Sequence, residues 1–300
     1  MLTRRHILTV LALMAALTAP PAIAQTKIKV VATISILGDL VKNVGGDRVD
    51  VATLVGPGAD AHVYSPTPAD VSKLTDAKLV IVNGLGLEGW MARLVKASGT
   101  KAPLLTATKG VKPRKMEDEH HAGRVVSDPH AWQSIANAKT YVANIRDGLT
   151  KADPAGKQAY EANATAYAAK LDEVEKDVKV AISTIPADRR RIITTHDAFG
   201  YFGDAYGMEF ISPEGVSTES EASARDVAKI ITQIKKQNIP AVFMENISDP
   251  RLMEQIAKES GAKIGGTLFS DALSDEKGPA PTYIDMMQNN IARFKAALAN

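Results

Sequence analysis

Cysteine is missing from all 300 residues. That absence removes disulfides, thiolate zinc sites, cysteine nucleophiles, iron–sulfur clusters and a lipid anchor on cysteine in one step. Charge of one sign is also missing, since 36 Lys+Arg stand against 34 Asp+Glu. A dedicated nucleic-acid binder would show a basic stripe or a high domain pI. There is no apolar run long enough to span a bilayer as a helix: the longest, residues 7–19, has 13 residues, whereas about 20 are needed. The remaining composition is ordinary, 45% hydrophobic and 23% charged, which excludes disordered and collagen-like chains. The length fits roughly two domains at ~150 residues each.

Residues 1–24 read as a secretory signal peptide. Arg4 and Arg5 form a positive start, residues 7–19 the apolar middle, and Ala22-Ile23-Ala24 a small-x-small cleavage site before Gln25. The paired arginines also loosely resemble a twin-arginine export signal, the less favoured route. Those two arginines account for the whole +2 excess, so the mature chain is formally neutral. An exported, cysteine-free chain with no second hydrophobic span points to the bacterial periplasm.

Strand-like and helix-like segments then alternate. Residues 27–33 (KIKVVAT), 49–55 and 79–83 (LVIVN) read as strands. Ile34, Leu37, Leu40, Val41 and Val44 fall at helical spacing, and Thr67-Pro68-Ala69-Asp70 is a helix start with cap, proline and acid in order. A loop over 109–128 and a helix over 135–149 complete a first α/β lobe, 25–152. Asp153-Pro154 opens a long helical segment to Pro186. Its apolar stripe is Tyr160, Ala164, Tyr167, Leu171, Val174, Val178 and Ile182. The expected role of 153–186 is a rigid linking helix, because a second alternation follows over 187–300. Strands are expected near 191–195, 208–211, 241–244 and 262–268, with helices near 222–237, 250–260 and 281–298. The fold class is α/β, with two lobes, each a mostly parallel sheet flanked by helices, joined by one long helix. A site between the lobes at strand carboxyl ends is the default expectation. No internal sequence repeat is visible.

Outside the signal, five histidines remain: His62, His120, His121, His130 and His196. Taken singly, each fits a packed or surface histidine. Taken together, His62, His130 and His196 look different. They lie at strand ends or on proline-stiffened loops, two in one half and one in the other. Three imidazoles converging on a cleft make a metal site. A fourth ligand would be a carboxylate, with Asp271 the first candidate and Glu245 the second. A His₃Asp donor set favours Zn²⁺ over the harder Mn²⁺.

These stretches resemble the solute-binding proteins of zinc and manganese ABC transporters. The resemblance rests on the glycine-rich His62 loop running into YSPTPAD, then DPHAW, THDAFGYF, VFMEN and LFSDAL, in that order. It implies two lobes joined by one rigid helix, with a metal between them held by His62, His130, His196 and Asp271. It also implies delivery to an ABC permease in the inner membrane, by a protein expected to be monomeric. In the manganese branch the third position is commonly Glu; His196 resembles the zinc-favouring pattern, with Mn²⁺ as the alternative cargo. Glu245 matches a supporting carboxylate rather than a ligand. Zinc-specific members often carry a long His-rich loop before DPHAW, here reduced to Glu117-Asp118-Glu119-His120-His121. That stretch reads as a solvated surface loop or a weak metal-gathering one.

Asp60, Asp128 and Asp197 are candidates to orient their neighbouring histidines. Trp90 and Trp132 are expected to pack rather than touch the ligand. A zinc hydrolase is the alternative of another class, although no HExxH motif is present. A serine hydrolase lacks its GxSxG elbow. Gly84-Leu85-Gly86-Leu87-Glu88-Gly89 formally fits GxGxxG but follows a later strand, with no acidic residue ~20 positions on. It is expected to be a helix-entry turn.

Overall fold

The computed structural model describes residues 26–117 and 125–299. The expected signal peptide and most of the Glu117–His121 stretch, including His120 and His121, lie outside them.

The first lobe is built on four parallel strands. β1 (Ile28–Ile34), β2 (Val49–Val55), β3 (Leu79–Val82) and β4 (Leu104–Thr106) lie in the order β2-β1-β3-β4. Between them run α1 (Ser35–Gly45), α2 (Pro68–Asp76) and α3 (Met91–Ser98). β3 is buried along its whole length, as a strand covered on both faces must be. The start of α2 forms as its residues dictate: the Thr67 N–H donates to the Asp70 carboxylate at 2.9 Å, with Pro68 in the first turn.

The expected loop over 109–128 contains a short antiparallel hairpin, β5 (Lys115–Glu117) with β6 (Val125–Ser127). Three-residue strands carry too little alternation to be seen as a period of two. β4 and a seven-residue helix, α6 (Gly200–Tyr206), escaped the sequence reading for the same reason.

After α4 (Ile135–Ala152) comes α5 (Lys157–Ser183), 27 residues long and preceded by a 3₁₀ turn at Pro154–Gly156. All seven residues of its apolar stripe are buried. The helix packs against α1 and α4 of the first lobe. It also packs against α6 and α9 (Tyr283–Leu298) of the second.

The second lobe carries β7 (Arg191–Ile193), β8 (Glu209–Ile211), β9 (Ala241–Glu245) and β10 (Lys263–Leu268), again all parallel, in the order β8-β7-β9-β10. Counted within its own lobe, each sheet therefore runs second, first, third, fourth. The chain holds a topological repeat that its sequence does not display. α7 (Ala224–Gln237) and α8 (Arg251–Ser260) cover one face of the second sheet with an apolar cluster that includes Ile193, Ile230, Val242 and Met253. Phe199, Phe202, Phe210, Phe243 and Phe294 pack together among α6, α9 and the sheet. One continuous apolar core runs from the first lobe through α5 into this aromatic group.

Candidate metal centre

Each sheet delivers its chemistry at the carboxyl ends of its strands, where loops leave the sheet. His62 lies in the loop between β2 and α2. There Asp60 folds back so that Oδ1 accepts the His62 N–H at 2.8 Å. Trp90 donates its indole N–H to the Ala61 carbonyl at 2.9 Å, steadying the residue before the histidine. His130 follows β6 in Asp128-Pro129-His130. Asp128 Oδ1 accepts the His130 backbone N–H at 2.9 Å and lies 2.8 Å from its ring Nδ1. Asn83 fixes the intervening Pro129 carbonyl at 2.9 Å.

In the second lobe the chain turns out of β7 at Thr194 and reaches His196. This turn ends the expected strand two residues early. Glu245, the last residue of the adjacent β9, accepts the Thr195 and His196 N–H groups on Oε1 at 2.8 and 3.0 Å. Its Oε2 lies 2.6 Å from His196 Nδ1. Asp271 lies three residues beyond β10. The Ser270 carbonyl before it takes hydrogen bonds from Trp132 Nε1 at 2.9 Å and Gln133 Nε2 at 2.8 Å, across from the first lobe.

These four side chains converge, and one donor atom from each lies within 4.8 Å of the other three. Asp271 Oδ2 is 3.0 Å from His62 Nε2 and 3.4 Å from Nε2 of both His130 and His196. His62 Nε2 is 3.2 Å from His130 Nε2. His130 and His196 are fully buried and Asp271 nearly so, whereas His62 is half-buried as a residue, its side chain 5% exposed. His196 Nε2 and Asp271 Oδ1 are buried without a hydrogen-bond partner. A buried polar atom left unpaired is costly; a cation between the four groups would satisfy His196 Nε2, and Asp271 Oδ1 too if the carboxylate offered both oxygens.

The electrostatics fit the same arrangement. Burial works against a charged His130, but the Asp271 and Asp128 carboxylates outweigh it and push the imidazole up to about 9. Burial likewise opposes charge on His196, and Glu245 with Asp271 holds it well above the ordinary histidine range. Burial would raise Asp271, yet the two imidazoles keep it well below the usual carboxylate range.

Of the three aspartates expected to orient histidines, Asp128 does so at the ring and Asp60 only at the backbone. Asp197 is replaced in that role by Glu245, which reaches His196 from the neighbouring strand. Sequence adjacency is a poor guide here, because parallel strands bring distant residues side by side. Sequence reasoning also missed Arg114, whose guanidinium lies 3.4 Å from Asp128 Oδ2 and whose backbone N–H donates to the Tyr201 hydroxyl at 2.8 Å. No motif marks it. Both tryptophans buttress the loops of the site, as packing residues do. The GLGLEG turn is closed from within: Glu88 accepts the Asn83 and Gly84 N–H groups at 2.6 and 3.1 Å, occupying donors that a phosphate would need.

Comparison with known proteins agrees with this geometry. The family model described as zinc-uptake complex component A, periplasmic (ZnuA) matches residues 30–297. The iron-binding protein YfeA of Yersinia pestis is 35% identical over 271 residues, covering 90% of this chain and 86% of that protein. The manganese-binding lipoprotein MntA of Halalkalibacterium halodurans is 35% identical over 273 residues, covering 91% and 89%. Among solved structures, the periplasmic zinc binding protein TroA from Treponema pallidum superposes with a TM-score of 0.85 at 33% identity, covering 91% of this chain and all of that one. The Mn-bound periplasmic metal binding protein from Candidatus Liberibacter asiaticus gives 0.80 at 30% identity, covering 90% and 99%. The manganese ABC transporter substrate-binding lipoprotein PsaA of Streptococcus pneumoniae is 33% identical over 281 residues, covering 92% of this chain and 90% of that protein; like the uptake-complex family it is a transport component rather than an enzyme, which sets the hydrolase alternative aside. With its two parallel-sheet lobes, long helix and interlobe histidine–aspartate cluster, the chain belongs to the periplasmic ZnuA family of metal-binding, substrate-binding proteins of ABC transporters.

Proposed function

We propose that this protein captures Zn²⁺ between its lobes with His62, His130, His196 and Asp271, and delivers it to an ABC permease in the inner membrane. The convergence of four donor atoms carries the reading. Ligands about 2.0–2.2 Å from a tetrahedral zinc stand about 3.3–3.6 Å from one another. Four of the six contacts here stand at 3.0–3.4 Å, and all six lie within 4.8 Å, so the groups need draw in by little more than an ångström to accept the ion. Each of His130 and His196 has a carboxylate against Nδ1, which leaves Nε2 as the metal-facing lone pair. Three nitrogens and one oxygen suit zinc better than harder ions.

Manganese is the second reading, favoured by one observation. Asp271 Oδ1 is free of hydrogen bonds, so the carboxylate can offer both oxygens and raise the coordination number toward what Mn²⁺ takes. Relatives named for manganese and iron keep this reading in play.

Calorimetric titration of the stripped protein with Zn²⁺, Mn²⁺ and Fe²⁺ ranks the cargo. One ion per chain is expected, with zinc tightest. His196→Ala and Asp271→Ala should each weaken binding by about a hundredfold or more, since losing even a group that supports a ligand costs roughly 10–100-fold. Unchanged affinity in both variants would remove the ligand assignment. Export through a cleaved signal is part of the same reading, and protein isolated from the periplasm should begin at Gln25.

A further inference from the structure

We propose that Thr218 and Asp60 form a latch across the lobes that positions His62 and sets how fast the ion leaves. The proposal rests on the ligand reading above and concerns residues outside the ligand set. His62 differs from the other three groups in exposure and in support. His130 has Asp128 at its Nδ1 and His196 has Glu245. Among the described residues, no carboxylate or carbonyl engages Nδ1 of His62. Its loop is the exposed lip of the site, with Val63 54% exposed beside it. Away from its Nε2 contacts the ring is placed by its backbone, which Asp60 holds at the His62 amide and Trp90 at the Ala61 carbonyl.

Asp60 has two oxygens with two tasks. Oδ1 accepts the His62 N–H at 2.8 Å. Oδ2 accepts a short hydrogen bond from the Thr218 hydroxyl of the other lobe. Thr218 lies between β8 and α7, in a stretch tied to the His196 turn. The Glu214 N–H donates to the Thr195 carbonyl at 3.2 Å, and the Asp197 N–H to the Gly215 carbonyl at 2.9 Å. A continuous bonded path thus runs from the His196 turn through Gly215 and Thr218 to Asp60 and the His62 amide. The only other link between this loop and the second lobe among the described backbone bonds is Gly58 N–H to the Leu273 carbonyl, at 2.9 Å. When the lobes part, the Thr218 bond breaks, Asp60 loses its second anchor, and the most exposed ligand is released first.

Stopped-flow transfer of Zn²⁺ from the loaded protein to a chromogenic chelator tests this. Thr218→Val removes the hydroxyl at constant shape and should speed release about tenfold, the worth of one charge-assisted hydrogen bond. Zinc association should stay near wild type, and Thr218→Ser should restore slow release. Thr218→Ala serves as a second variant with the same expectation should the valine chain not fold. In the metal-free protein, the His62 amide should exchange hydrogen faster in the valine variant. Equal release rates for wild type and both hydroxyl-free variants would overturn the latch. Failure of the wild-type protein to bind zinc one to one would instead overturn the ligand reading. In that case the His62 amide exchange still decides the latch: acceleration supports it and an unchanged rate overturns it.

Discussion

His130 shows how pH enters the function at the scale of a single residue. Its imidazole, raised to about 9 by Asp271 and Asp128 against the cost of burial, is protonated in the metal-free protein at neutral pH. The folded value lies above the unfolded one, near 6.5. Its contribution to stability is therefore fully present below pH ~6.5 and is lost as pH rises through about 9. With His130 among the proposed ligands, a bound ion would replace that proton, so metal affinity should move in the opposite direction. The gap between zinc-loaded and zinc-free melting temperatures should widen from about pH 6 to about pH 9. A gap independent of pH would show that His130 does not exchange its proton for metal. The histidines themselves were legible because each stands in an unusual, proline- or glycine-marked setting. The support of His196 was not legible, since Glu245 reaches it from another strand and only the fold brings them together.

At the scale of elements, α5 and the turn after His130 carry most of the geometry. The α5 stripe was readable because a 27-residue helix repeats its period many times. Leu171 is fully buried on that stripe, and Leu171→Ala should cost about 2–5 kcal/mol of stability in denaturant unfolding. The short elements, β4, β5, β6 and α6, repeat no period long enough to read. Trp132 was visible only as a packing residue, yet its indole N–H holds the carbonyl next to Asp271 from across the interlobe boundary. Trp132→Phe keeps an aromatic side chain, deletes that bond and leaves a void where the rest of the indole was buried. It should lower stability by about 2 kcal/mol or more, the lost bond plus the cavity, and weaken zinc binding, both measurable on one purified variant. Unaltered zinc affinity would show that Asp271 keeps its place without this anchor.

Across the whole molecule, the repeated strand order of the two lobes left no trace in the sequence, because a topology constrains burial pattern far more than residue identity. The apolar core that continues from lobe to lobe through α5 makes large hinge motion expensive, since opening widely would expose it. Solution scattering with and without zinc should give nearly superimposable profiles, and a large change in radius of gyration would contradict the stiff helix. The division of the proposed ligands between the lobes, His62 and His130 on one side, His196 and Asp271 on the other, has a consequence for release. Each lobe alone is a two-toothed chelator, and a weak one. Tight binding comes from holding the two at fixed spacing, where each raises the effective concentration of the other. A partner therefore needs no competing ligand of high affinity to take the ion. It needs leverage: prising the lobes apart by a short distance turns one strong chelator into two poor ones.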